Sequence, residues 1–155
     1  MGVETGSIAP DFTLMDQDRK PVTLSAVLEK GPVVLAFFPA AFSSVCQNEM
    51  CTFRDSIAGL GVVPAQMIGI STDTFFALRA WSDLQRFEFP LLSDYNKEVI
   101  RRYDVINPDM IGLKDIAKRA VFVIDRRGVV RHKEVLDDAR NEPDYGKVRA
   151  ALETL

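Results

Sequence analysis

The chain has 155 residues, 47% of them hydrophobic and 26% charged, and a formal net charge of −3. This length suits one domain over residues 1–155, and this composition excludes a disordered chain. The mild acidity argues against a nucleic-acid partner, no apolar run reaches the roughly 20 residues of a membrane span, and Met1-Gly2-Val3-Glu4 does not begin a signal segment, so a cytoplasmic protein is expected.

In chain order, Asp11–Leu14 and Pro21–Leu24 read as short strands joined across the polar Asp16–Lys20. Pro32–Phe38 is continuously apolar, as in a strand buried on both faces, and Pro39 ends it. A helix is predicted from Val45 to Leu60, with Ser44 and Gln47 as a capping-box signal. Gln66–Ile70 is a second apolar strand. Asp73 is then predicted to cap a helix carrying Ala77, Leu78, Trp81 and Leu84 at helical spacing. Phe89–Leu92 reads as a short strand and Glu98–Tyr103 as one or two helical turns. Arg119–Ile124, the turn Asp125–Gly128 and Val129–Val135 form an antiparallel hairpin, and Asp144–Leu155 is a closing helix. The order implies an α/β fold whose central mixed sheet is covered by helices.

Cys46, Cys51 and the single His132 are too few soft ligands for a four-coordinate zinc site without carboxylates. No cofactor is expected. At about 100° per residue, Cys46, Met50, Phe53, Ile57 and Leu60 share one helical stripe. Packing alone makes Cys46 a small buried hydrophobe. Its place in the first turn argues otherwise, because unpaired N–H groups and the helix dipole there favour a thiolate. Cys51 lies about 140° around the same helix and about 7.5 Å along it. A disulfide needs Cα atoms within about 7 Å, so the two cysteines can bond only if the first turn unwinds. A Cys51 thiol without a role and a switched partner of Cys46 both remain open.

Pro39-x-x-x-Ser43-x-x-Cys46 resembles the peroxiredoxin motif Pro-x-x-x-Thr/Ser-x-x-Cys. Phe37-Phe38-Pro39, Glu49, Phe53-Arg54-Asp55, Asp73 through Trp81, Phe89–Asp94, and Arg119–Asp125 with Gly128 are similar to that family in the same order. Ala41-Phe42-Ser43 resembles the one-cysteine AhpE-type branch. Cys-x-x-x-x-Cys is similar to the bacterioferritin-comigratory-protein (PrxQ) branch.

The resemblance implies a thioredoxin-like fold with an N-terminal β-hairpin extension. It also implies a thiol peroxidase acting on hydrogen peroxide and organic hydroperoxides. Cys46 is then the peroxidatic residue, oxidised to a sulfenic acid. Ser43 hydrogen-bonds thiolate and peroxide, and Arg119 polarises them. Pro39 shields the sulfur, and the amides of Val45 and Cys46 face the developing charge. Glu49 is either a first-turn charge or a partner within the site. Cys51 resolves the sulfenic acid as an intramolecular disulfide, and a thioredoxin-like dithiol donor reduces it. The AhpE-like motif favours a homodimer.

Alternation along the strand puts Arg119, Val121 and Val123 on one face. His132 is expected at a surface or edge, Trp81 in the core, and Arg126 and Arg127 in solvent. Gly59-Leu60-Gly61 follows a helix and lacks the third glycine of a dinucleotide fingerprint. Three rivals remain. One is a one-cysteine peroxidase with an external thiol. Another is a disulfide oxidoreductase, which favours an absent Cys-x-x-Cys and a proline where Lys118 stands. The third is a redox-switched binding or chaperone module without turnover.

Overall fold

The computed structural model describes residues 3–59 and 65–155, with the side chains of 56–59 excepted. In chain order the elements are β1 (Thr13–Met15), β2 (Pro21–Thr23), α1 (Leu24–Leu28), β3 (Val33–Phe37), α2 (Ser44–Gly59), β4 (Gln66–Ser71) and α3 (Phe75–Gln85). They continue with β5 (Leu91–Ser93), α4 (Glu98–Arg102), β6 (Ile106–Asn107), β7 (Ile116–Ala117), β8 (Arg119–Ile124), β9 (Val130–Leu136) and α5 (Tyr145–Glu153).

The main sheet runs β2-β1-β5-β4-β3-β8-β9. The interior strand β3 is buried on both faces, as its unbroken apolar run requires. It pairs in parallel with β4 and antiparallel with β8. The N-terminal hairpin joins the sheet's edge where Met15 meets Ser93. Parallel and antiparallel pairings therefore mix in one sheet, as the element order implies.

Alternation divides the core. Val33, Leu35 and Phe37 of β3 and Ala120, Phe122 and Ile124 of β8 pack on one face with α1 and α4, around Tyr103. Val34 and Ala36, with Val121 and Val123, pack on the other face against Cys46, Met50 and Phe53 of α2, Leu78 and Trp81 of α3, and Val148 and Leu152 of α5. The stripe drawn from the sequence holds for Cys46, Met50 and Phe53. The Ile57 side chain and Leu60 lie outside the described residues, as does Leu60-Gly61 of the glycine pair. Gly69 lets the face close: a Cβ there would lie 2.9 Å from Leu91 Cδ2 and 3.2 Å from Phe38 Cε1. Gly128 takes φ +83° in the β8–β9 turn, a conformation that glycine adopts freely.

Several local expectations are corrected. Thr74, not Asp73, caps α3, its side chain accepting from Ala77 N. Asp73 instead accepts from Ser71 Oγ and Ala41 N. Ser44 is the first residue of α2 rather than the residue before it. The strand expected at Phe89 begins at Leu91, after Pro90. The five-residue α1 and the small β6–β7 pair were not foreseen. Among the described residues, no helix is long and apolar enough to cross a membrane, and no cluster of three or more His, Cys, Asp or Glu could hold a metal.

Candidate active site

β3 ends at Phe37, and the chain crosses Pro39–Ser43 before entering α2. The crossing places Cys46 in the first turns of α2, against the sheet. Its side chain is fully buried, at 0% exposure. The antiparallel partner β8 starts beside the end of β3, with Ala120 opposite Phe37. Arg119 therefore enters from the neighbouring strand on the face that α2 covers. Register and alternation, rather than closeness in sequence, bring Arg119 to Cys46.

Arg119 is 1% exposed and divides its donors among three acceptors. Nη2 donates to Cys46 Sγ at 3.3 Å. Nη1 donates to Glu49 Oε1 at 2.8 Å. Nη2 and Nε reach the carbonyl of Ala139 at 2.9 and 3.3 Å. The rigid planar fork of a guanidinium suits such divided work. Burial disfavours its charge, but Glu49 and Cys46 beside it prevail and raise its pKa above the ordinary value.

Glu49 lies one turn beyond Cys46 on α2 and is fully buried. It is a partner within the site rather than a solvated first-turn charge. Burial pushes its carboxyl up from 4.5 to about 7, against the pull of Arg119. Among the described residues, its second oxygen, Oε2, has no hydrogen-bond partner in its buried position.

Ser43 donates from Oγ to the carbonyl of Ala40 at 2.9 Å, so its hydrogen is not directed at Cys46. Pro39, Ser43, Ser44, Val45 and Arg119 line a pocket of about 720 Å³. Met110 and Ile111 come to it from the β6–β7 loop, and Asp137–Arg140 from the segment after β9. The first-turn amides of α2 have no intrahelical acceptor, as at any helix start.

Cys51 lies on the other side of α2. Its Sγ donates to Gln85 Oε1 of α3 at 3.6 Å, and both cysteines are free thiols. Arg54 Nη1 donates to the Gln85 carbonyl at 2.6 Å, so the turn of α2 that carries Cys51 is tied to the end of α3. The structure brings Pro39, Ser43, Val45, Cys46, Glu49 and Arg119 together and leaves Cys51 apart from them.

Phe42 takes φ +68°, a left-handed conformation that costs a bulky residue on the order of 1–3 kcal/mol. Its ring faces Trp81 at a centroid distance of 6.2 Å. Trp81 is a core residue, as expected, with 0% exposure. His132 is half-buried on the sheet's edge strand β9, and Arg126 and Arg127 are exposed.

Sequence reasoning missed Ala139, Asp73 and the rim from Met110 and Ile111. Ala139 acts through a backbone carbonyl and has no side-chain signature. The rim lies in the loop between two-residue strands that are too short to show a period.

A family model described as the AhpC/TSA family matches residues 5–133. A chloroplastic 2-cysteine peroxiredoxin of Chattonella marina var. antiqua is 34% identical over 166 alignment positions, covering 100% of this chain and 80% of that protein. The alkyl hydroperoxide reductase E of Mycobacterium tuberculosis is 36% identical over 135 residues, covering 86% of each chain. Among solved structures, the peroxidoxin BcpB of Mycobacterium tuberculosis matches with a TM-score of 0.86 at 35% identity, covering 99% of this chain and 98% of that one.

Proposed function

The chain belongs to the AhpC/TSA family as a peroxiredoxin, a thiol peroxidase, and from that premise we propose that Cys46 is its peroxidatic residue and Cys51 the resolving one. The observation that carries the reading is the Arg119 fork, which spans Cys46 Sγ at 3.3 Å and Glu49 Oε1 at 2.8 Å.

The substrate is hydrogen peroxide or an organic hydroperoxide, entering past Pro39 and Val45. The Cys46 thiolate attacks the terminal peroxide oxygen. The O–O bond breaks, and its electron pair leaves on the distal oxygen, which takes a proton as water or an alcohol. Arg119 offers positive charge and N–H donors where charge moves between sulfur and oxygen. The α2 first-turn amides add to that field. Ser43 keeps its own hydrogen on the Ala40 carbonyl. Its oxygen is thereby left as an acceptor for the peroxide O–H. Glu49 holds the guanidinium in place. Pro39 closes the pocket wall without proton chemistry.

Cys46 is then a sulfenic acid. After the start of α2 unwinds, the Cys51 thiolate attacks its sulfur, the S–S bond forms and water leaves. A thioredoxin-like dithiol reduces the disulfide. We also propose a homodimer, on the AhpE-like motif, and a cytoplasmic location. The second reading is a one-cysteine peroxidase with an external thiol. The contact of Cys51 with Gln85, in an intact helix, favours it.

One experiment separates the two: intact mass and free-thiol count after one equivalent of hydrogen peroxide. The wild type is expected to lose two mass units and both thiols, and Cys46→Ser to stay unchanged. Cys51→Ser is expected to gain about 16 or 32 mass units, one or two oxygens. A wild type that gains oxygen and keeps the Cys51 thiol selects the one-cysteine reading. A Cys46 that stays reduced throughout refutes the peroxidatic assignment.

A further inference from the structure

We propose that Asp73 is a positioning residue for peroxide reduction: it latches the strained crossing between β3 and α2 and so sets the place of Ser43 and Cys46. The inference rests on Cys46 being the peroxidatic residue.

Asp73 follows β4 and stands 27 positions after Cys46 in the chain, yet it reaches the crossing directly. Its Oδ2 accepts from the Ala41 amide at 2.8 Å and from Ser71 Oγ at 2.7 Å. Ser71 Oγ lies 3.2 Å from the Asp73 amide, and Ser93 Oγ donates to the Asp73 carbonyl at 2.6 Å. Backbone and side chain of Asp73 are thus both fixed to the ends of β4 and β5. The carboxylate carries that rigidity to Ala41. This use of the side chain also explains why Thr74, one residue later, caps α3.

The residue after Ala41 is Phe42, at φ +68°. A phenylalanine stays left-handed only where its surroundings over-determine it. On one side the Ala41 amide is held by Asp73. On the other, Ser43 N and Oγ both donate to the Ala40 carbonyl, at 3.4 and 2.9 Å. Without the Asp73 bond the turn can relax toward negative φ. The relaxation would move Ser43 and the first turn of α2, and with them Cys46, away from the Arg119 fork. That fork is anchored outside α2 by the carbonyl of Ala139.

The latch acts on the two chemical steps with opposite sign. Attack on peroxide needs the turn held, because a misplacement of about 1 Å can cost on the order of 10²-fold in rate. Bonding of Cys46 to Cys51 needs the same turn released.

The test follows oxidation of Cys46 by hydrogen peroxide in single turnover, by quench and intact mass, in a Cys51→Ser background. Thermal melting verifies that each variant is folded. Asp73→Ala is expected to slow oxidation roughly 10- to 100-fold. Asp73→Asn retains an oxygen able to accept both hydrogen bonds and is expected to recover most of the rate. Phe42→Gly, which removes the left-handed penalty, is expected to rescue Asp73→Ala. A residue needed only for global stability would not be rescued in that way. With Cys51 present, disulfide formation after oxidation is expected to be faster in Asp73→Ala than in wild type. Folded Asp73→Ala oxidised at the parental rate, or left unrescued by both Asn and Phe42→Gly, overturns the latch. A parent in which Cys46 does not react at all refutes the peroxidatic assignment instead.

Discussion

Arg119 shows how much one side chain can settle. A buried cation with a sulfur, a carboxylate and a carbonyl as acceptors cannot be replaced by charge alone. Lysine brings a point charge on a flexible stem, and it cannot face Cys46, Glu49 and Ala139 together. Arg119→Lys is therefore expected to keep the fold and to lower the second-order rate of Cys46 oxidation by about 10²–10³, the usual loss when a preorganised donor is removed. Stopped-flow kinetics with hydrogen peroxide measures it. A Lys variant within a few-fold of wild type would show that only the charge of Arg119 matters and that its fork geometry does not.

At the scale of the element, α2 carries both cysteines and must change to use both. Reduced, it is a continuous helix from Ser44 to Gly59 with Cys51 on Gln85. One turn rises about 5.4 Å, so the two sulfurs cannot meet in it. Oxidation with one equivalent of peroxide is thus expected to lower the far-UV helical signal by about one or two turns of helix, and dithiol reduction to restore it. Cys51→Ser, oxidised in the same way, is expected to keep its helix. Equal signals in reduced and disulfide wild type would mean that Cys46 is bridged to a thiol of a second molecule rather than to Cys51 of its own chain.

The same helix shows what was legible beforehand. Its buried stripe, the doubly buried β3 and the Arg119–Val121–Val123 face of β8 were all visible, because burial imposes a period that sequence carries. The motif residues Pro39, Ser43, Cys46 and Arg119 were visible through the resemblance to the peroxiredoxin motif, whereas periodicity alone placed Cys46 on a buried stripe and Arg119 on a strand face. What was hidden depends on partners distant in sequence. Asp73 beside Thr74 offers two capping residues in a row, and only the Ala41 amide across the fold decides between them. Helix α1 and the β6–β7 pair are too short for periodicity and are held by packing. Glu49 could not be assigned from sequence, because its role is defined by an arginine 70 positions away.

On the scale of the whole molecule, the sheet separates an aromatic core around Phe37, Tyr103 and Phe122 from the core that contains the site. The site's own core buries a carboxylate, and that affects global stability. Glu49 titrates near its ordinary 4.5 when unfolded and at about 7 when folded, because burial outweighs the pull of Arg119. Below pH 4.5 both states hold the proton, and the shift contributes nothing. Between 4.5 and about 7 the unfolded chain releases it while the folded one keeps it. The folded state then binds more protons, so this contribution to stability falls as pH rises. His132 acts in the opposite sense. Burial lowers its pKa, so the folded state favours the neutral ring, and stability is lost as pH falls through and below 6.5. The net curve of the wild type mixes the two. The difference between wild type and Glu49→Gln isolates the first, since both proteins keep His132. Urea midpoints under reducing conditions at pH 5, 6, 7 and 8 are expected to show wild type losing ground to Glu49→Gln step by step, most of it below pH 7. Parallel curves would mean that Arg119 keeps Glu49 ionised in the folded state over the whole range. The ion pair, rather than the desolvation of its carboxylate, would then set the charge at the centre of the site.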